Sequence, residues 1–348
     1  MIIANRKIGL KYPPYIIAEI SANHKQSLER AIEIIKISKS IGVDAVKLQT
    51  FDLNEMTLQC DGPGFKIIDK SSPWNKKKLY DLYKKAVTPW DWHEKIYNFC
   101  KKIKITCFSS VFDLQSLNFL EKFNPPAYKI ASFENNHLPL IEAVSKKNKP
   151  VIVSTGMTNI SDLEDIKKIF KKNNNNKFSF LKCTSSYPAK PKDSNLLAIK
   201  KLRKKFNCEI GLSDHTNGIG AAIASIPLGA TLIEKHIVLK KNDGSLDEKF
   251  SLDPSSFREL VLESKNAWMA LGNNKIYITQ NEKKLIFLKR SIYVSKNVEK
   301  DNIVNKNNVK IIRPGYGLHP KFYKKVLKKR FNKSFKKGTP LKLSMLKK

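Results

Sequence analysis

Eight short apolar, β-prone runs recur between residues 15 and 236: YIIAEI (15–20), DAVKLQT (44–50), ITCFSS (105–110), AYKIAS (127–132), PVIVST (150–155), FSFLKCTS (178–185), EIGLSD (209–214) and TLIEKH (231–236). Between most of them the apolar positions switch to helical spacing; Ser27 to Ile32 opens one helix and residues 159–170 carry another. Strands alternating with helices over short connections imply a parallel sheet. Eight such repeats favour closure, which predicts an α/β fold of the (β/α)8 TIM-barrel type.

Polar residues interrupt these runs in one register, near their C-terminal ends: Glu19, Lys47, Gln49, Ser110, Lys129, Ser132, Ser154, Ser185, Ser213, His215 and His236. Barrel enzymes place their chemistry there, because the strand ends converge on one mouth. One such residue carries little information. The same register in all eight runs points to a site.

The second connection, residues 51–85, is too long for a plain strand–helix loop and contains Gly62, Pro63, Gly64 and Pro73. Loops of that length in compact domains are commonly lids or specificity elements. It ends at Thr88-Pro89-Trp90-Asp91, which reads as an N-cap, a proline at the first helical position and an acid in the first turn. His93, Trp90 and Trp92 read there as packing residues. After the eighth strand, residues 255–270 read as the closing helix. Three β-like pieces, RSIYVSKNV, NNVKIIRPG and GTPLKLSML, then lie between turn residues. The predicted organisation is a barrel over 1–272, a connector over 273–284 and a small, mostly β domain over 285–348.

Composition narrows the class without naming it. Of 348 residues, 41% are hydrophobic, enough for a substantial core. No run of 18 uncharged apolar residues exists and the N-terminal stretch lacks a signal-peptide pattern, so the expectation is a cytoplasmic protein with no membrane partner. The five scattered cysteines, at 60, 100, 107, 183 and 208, form no CxxC pair and read as reduced thiols. Cys107 and Cys183 sit in apolar runs and read as small buried hydrophobes. The net charge of +34 raises polyanion binding, but the excess is mostly lysine, reads as spread along the chain, and accompanies no nucleic-acid module. A solvated lysine-rich surface is the simpler reading, and no specific nucleic-acid partner is expected.

The motifs AEISANH (18–24), AVKLQTF (45–51), YKIASFE (128–134), STGM (154–157), CTSSYP (183–188), GLSDHT (211–216) and IEKH (233–236) resemble the sialic acid synthase family. RSIYV (290–294), RPGYGL (313–318) and KKGTPL (336–341) resemble its C-terminal antifreeze-like (SAF) domain. The resemblance spans essentially the whole chain in order. Within the family, CDGPGF (60–65) and LYDLYKKAVTPWDWH (79–93) resemble the branch that forms pseudaminic acid; neuraminic and legionaminic acid synthases are the near alternatives. One departure is Val111, where such enzymes usually show proline. Ser185 stands where some neuraminic acid synthases carry an asparagine.

The resemblance implies a condensation of phosphoenolpyruvate with an amino-sugar aldehyde, here 2,4-diacetamido-2,4,6-trideoxy-L-altropyranose. Phosphoenolpyruvate carries a phosphate and a carboxylate, so its pocket needs cations and hydrogen-bond donors converging on a small volume. Lys47 and Lys129 supply cations; Ser110, Ser132, Ser154, Ser185 and Ser213 supply hydroxyls. A lysine inside an apolar strand is costly without an anionic partner. Either lysine strand also suits an aldolase forming a Schiff base, with Lys129 or Lys235 as nucleophile. His215 and His236 end neighbouring strands, and two adjacent imidazoles make half of a divalent-metal site, with water and substrate oxygen completing the shell. In the family the metal is Mn2+ or a similar ion such as Mg2+ or Co2+. Glu19 ends an apolar strand at the same mouth. By resemblance Glu134 deprotonates or orients the water that attacks C2, while Asn23, Gln49, Tyr187 and Asp247 complete the sugar site. The same resemblance implies that Arg313 contacts the N-acetyl group from a partner chain, in a domain-swapped homodimer.

Overall fold

The computed structural model describes residues 1–70 and 72–347; Ser71, in the long second loop, and Lys348, the last residue of the expected β domain, lie outside the described residues. The chain divides into two compact units, Met1–Gly272 and Asn273–Lys348.

The first unit is a closed barrel of eight parallel strands. We label them β1 (Tyr15–Glu19), β2 (Ala45–Thr50), β3 (Thr106–Val111), β4 (Tyr128–Ile130), β5 (Val151–Ser154), β6 (Phe178–Cys183), β7 (Glu209–Asp214) and β8 (Leu232–His236). Each pairs with its sequence neighbour, and β8 closes on β1 with Leu232 opposite Tyr15 and His236 opposite Glu19. Both faces are buried, which is why the runs read as nearly continuous Ile, Val, Leu and Phe.

Alternation along each strand sorts the side chains into two cores. Ile16, Ala18, Val46, Cys107, Val153 and Ile233 face outward and pack on the helices. Tyr15, Ile17, Ala45, Phe108, Ile152, Leu181 and Leu232 face inward and fill the lower barrel together with Ile3 and Ile8. The latter two flank or belong to a short N-terminal hairpin, Ile2–Ile3 paired with Arg6–Lys7. It stoppers the end of the barrel away from the strand C-termini.

The surrounding helices start where polar side chains satisfy free backbone N–H groups. Ser27 accepts from Arg30 N at the start of α1 (Leu28–Ser40). Asn159 and Asp162 form a reciprocal box on the helix Ile160–Lys172, and Asp253 caps the closing helix Pro254–Ala270. The expected cap at Thr88 is not formed. Trp92 N reaches Pro89 O and His93 N reaches Trp90 O, so a turn precedes the helix Trp92–Ile103 and Asp91 stands at its N-cap. Thr88 is instead buried, its hydroxyl without a hydrogen-bond partner among the described residues. His93 is also buried, bonded to Thr50 and packed edge-on against Phe119.

In the second unit, Ser291–Val294 pairs antiparallel with Val309–Ile312. Ile292, Val294, Val309, Val326, Phe331 and Leu341 form its core. Residues 273–284 belong to this unit and include a helical turn, Gln280–Lys283, capped by Thr279. Charge is not spread evenly between the units. The second unit holds 22 Lys and Arg against only Glu282, Glu299 and Asp301.

Candidate active site

Two residues above the apolar interior the same strands turn polar. Glu19, Lys47, Ser110, Lys129, Ser154, Ser213 and Glu234 are all buried there. Lys47 Nζ pairs with Glu19 and donates to Ser110 Oγ at 2.9 Å. Lys129 Nζ donates to Ser154 Oγ at 2.7 Å and to the Ile130 carbonyl at 3.1 Å. Glu234 lies between the two ammonium groups, 3.8 Å from each, and accepts from Ser213 Oγ at 2.9 Å. Burial pulls the Lys47 ammonium down to about 7, against the upward pull of Glu234. Burial raises the Glu234 carboxyl, but Lys129 and Lys47 outweigh it and hold the group below its usual range. The layer thus combines two ammonium groups, two carboxylates and three hydroxyls, and its ammonium and hydroxyl groups are donors for the oxygens of a small anion.

The imidazoles come next. The rings of His215 and His236 have centroids 5.4 Å apart. His215 Nδ1 lies 3.1 Å from the Thr184 carbonyl and 3.9 Å from Cys183 Sγ, and Tyr187 leans on its ring. His236 packs against Phe250; its Nδ1 has no hydrogen bond among the described residues and lies 3.8 Å from Asp247 Oδ2. Asp247 accepts from Ser21 Oγ at 2.5 Å. Burial drives His236 well below the usual histidine range, and the neighbouring His215 adds to that. Burial also lowers His215, but Cys183 and the Thr184 carbonyl outweigh it, so the group sits above its ordinary value. Among the described residues no three His, Cys, Asp or Glu side chains close on one point.

His236 and Asp247 border a cavity of about 470 Å3, together with Gln49, Ser132, Glu134 and Tyr187. Glu134 Oε2 has no hydrogen-bond partner among the described residues, and burial pushes its carboxyl up to about 7 against the pull of Lys129. Gly156 closes one wall. Its N–H donates to Ser132 Oγ at 3.1 Å, and a Cβ there would collide with the hydroxyls of Ser185 and Ser132.

The fold therefore gathers Glu19, Lys47, Ser110, Lys129, Ser154 and Ser213 in the polar layer. It gathers Gln49, Ser132, Glu134, Tyr187, His236 and Asp247 at the cavity, with His215 and Ser185 alongside. Asn23 is not brought to the cavity. Its amide nitrogen donates to Ile237 O (2.7 Å) and Ser251 Oγ (2.9 Å), tying the first loop to the last, while its Oδ1 is buried without a hydrogen-bond partner among the described residues. Arg313 belongs to the second unit, where it is exposed. Lys235 is also excluded from the barrel interior. It points to the outer face of β8 and pairs with Asp214 at 2.7 Å and the Thr216 carbonyl at 2.6 Å.

Sequence reading missed Glu234, although strand alternation through Leu232, Glu234 and His236 marks it as inward-facing. It also took Cys183 for a packing residue. Burial pushes that thiol up, but His215, Ser132 and Lys129 outweigh it and bring it down to about 7.

A family model described as the NeuB family matches residues 34–276. The chain is 44% identical over 330 residues to a pseudaminic acid synthase of Campylobacter jejuni subsp. jejuni serotype O:23/36, covering 95% of this chain and 96% of that protein. It is 42% identical over 330 residues to a pseudaminic acid synthase of Helicobacter pylori, covering 94% and 96%. Among solved structures, the N-acetylneuraminic acid (sialic acid) synthetase of Leptospira borgpetersenii, in complex with citrate, aligns with a TM-score of 0.73 at 30% identity. That alignment covers 82% of this chain and 94% of that one.

Proposed function

The chain belongs to the NeuB family, and on that footing we propose that it is a pseudaminic acid synthase, condensing phosphoenolpyruvate with 2,4-diacetamido-2,4,6-trideoxy-L-altropyranose. The identity is 42–44% to proteins bearing that activity in their names, against 30% to the sialic acid synthetase structure. The observation that carries the chemistry is the pair of buried lysines, braced by serines, directly beneath two neighbouring imidazoles.

In this reading Lys47 and Lys129 hold the phosphate and carboxylate of phosphoenolpyruvate, with Ser110, Ser132, Ser154, Ser185 and Ser213 around them. C3 attacks the sugar aldehyde carbon, whose oxygen takes up a proton and becomes a hydroxyl. Positive charge then develops at C2, where the carboxylates of Glu19 and Glu234 oppose it. Glu134 orients and deprotonates the water that adds to C2. The tetrahedral adduct loses phosphate by C–O cleavage, and the nine-carbon keto acid cyclises. No protein nucleophile is needed, so orientation and electrostatics carry the rate.

The imidazoles fit a divalent ion. His215 spends Nδ1 on a backbone carbonyl, the arrangement that fixes a metal-binding histidine, while His236 Nδ1 lacks a partner beside Asp247. We assign His215 and His236 as its ligands and Mn2+ as the ion, which would polarise the aldehyde oxygen when bound. Gln49, Tyr187 and Asp247 face the sugar. A second copy supplies Arg313, making the working unit a homodimer. Five free cysteines and an intermediary-metabolism substrate support the reading of a reducing cytoplasm as its setting.

The test is phosphate release from phosphoenolpyruvate and Mn2+ with each acetamido and diacetamido sugar. Release with the altro-configured diacetamido sugar is expected; equal or greater release with N-acetylmannosamine overturns the branch. Chelation should abolish turnover, and borohydride with pyruvate should trap no adduct. Mixing Arg313→Ala with His236→Ala protein should restore activity if the copies share sites.

A further inference from the structure

The second loop roofs the cavity, and nothing in the proposed chemistry uses it. It is a folded flap. Ile67 N bonds to Lys77 O and Leu79 N to Phe65 O, at 3.0 and 2.9 Å, drawing residues 65–67 and 76–79 into a small ladder. Trp74 at its tip donates its ring N–H to the Leu246 carbonyl at 3.2 Å. The same ring leans on Tyr187, 5.5 Å between centroids, and stands edge-on to Phe250 at 6.2 Å. The flap is thus fastened to the loop that carries Asp247. Onto the cavity it brings four aliphatic side chains, Met56, Ile67, Leu79 and Leu82, alongside Phe112 and Phe133. The polar groups it contributes are fewer: Asp69, Ser72 and the hydroxyl of Tyr83.

One cavity is therefore lined by two unlike sets of side chains: Glu134, His236 and Asp247, and the flap's aliphatic patch. A hexose held by its aldehyde carbon at the imidazoles directs C6 away from them. Resting on the proposed function, we infer that Met56 and Ile67 select for the 6-deoxy end of the sugar. The C6 methyl gains by burial against them, whereas a C6 hydroxyl pressed to the same patch gives up its bonds to water without replacement.

The test measures kcat/KM for 2,4-diacetamido-2,4,6-trideoxy-L-altropyranose and for the same sugar bearing a 6-hydroxyl. Wild type should prefer the 6-deoxy sugar by about 100-fold, the scale on which an apolar pocket rejects one added hydroxyl. Ile67→Thr and Met56→Gln should each cut that preference about 10-fold, with KM for phosphoenolpyruvate within about twofold of wild type. The two variants alter different parts of the loop, so misfolding of one leaves the other to decide. Both keeping the wild-type preference, or both losing activity equally on the two sugars while KM for phosphoenolpyruvate rises, overturns the inference. Wild type that releases phosphate with neither diacetamido sugar overturns the proposed function beneath it, a different and recognisable failure.

Discussion

Below, the barrel interior is Ile17, Ala45, Phe108, Ile152, Leu181 and Leu232; two residues further along the same strands it is Glu19, Lys47, Ser110, Ser154, Cys183 and Glu234. Backbone, alternation and burial are shared, and only the side chains differ. The lower layer takes apolar surface out of water and stabilises the barrel. The upper layer desolvates two ammonium groups and two carboxylates, whose mutual attraction at best roughly offsets the cost of burying them. A protein with nothing to bind there has no reason to keep it. The contrast teaches that the lower half of the barrel is built for folding, while the upper half carries a charge arrangement that folding does not require, which fits the proposed anion site.

Substitutions should separate the two halves. Lys129→Met removes one ammonium facing Glu234. The loss of a buried, hydrogen-bonded charge should cut kcat/KM for phosphoenolpyruvate by roughly 1000-fold, measured by phosphate release. Urea unfolding should move less than that, because an apolar side chain replaces a costly charge. Phe108→Ala should do the reverse. It should lower unfolding free energy by about 3–5 kcal/mol through the cavity it leaves, while KM for phosphoenolpyruvate stays near wild type below the transition. A variant of either layer that shifts both properties equally breaks the comparison.

A smaller effect concerns Glu134. Its carboxyl titrates at about 7, raised by burial. As the proposed base, Glu134 is mostly ionised only above that value, so kcat/KM should fall as pH drops below about 7. Glu134→Gln should lower kcat/KM by about 100-fold and erase that acid limb, read from a pH–rate profile. For stability the sign is opposite. A carboxyl raised above its ordinary value binds protons more tightly in the folded state, so its contribution falls as pH rises from about 4.5 to 7. Smallest is Ser154→Ala, which removes one hydroxyl from Lys129 and should raise KM for phosphoenolpyruvate about 5- to 10-fold.

Much of this architecture was legible because alternation and strand length are local. The eight runs and their shared polar register come from neighbouring residues alone. Glu234 obeys the same rule two places before His236, yet inside IEKH it was overlooked beside the histidine. What could not be read depends on distant partners. Asn23 looks like a site residue until Ile237 and Ser251 claim its amide. Thr88 looks like a cap until Pro89 and Trp90 form a turn that delays the helix. The roof of the cavity is fastened in part by Trp74 reaching Leu246, far along the chain.

Titration calorimetry of phosphoenolpyruvate with the protein, wild type against the Lys47→Met and Lys129→Met pair made together, tests the upper layer most directly. Saturable binding of one molecule per chain, displaced by inorganic phosphate and lost in the double variant, is the predicted result. Binding of undiminished affinity in a folded double variant would contradict the account.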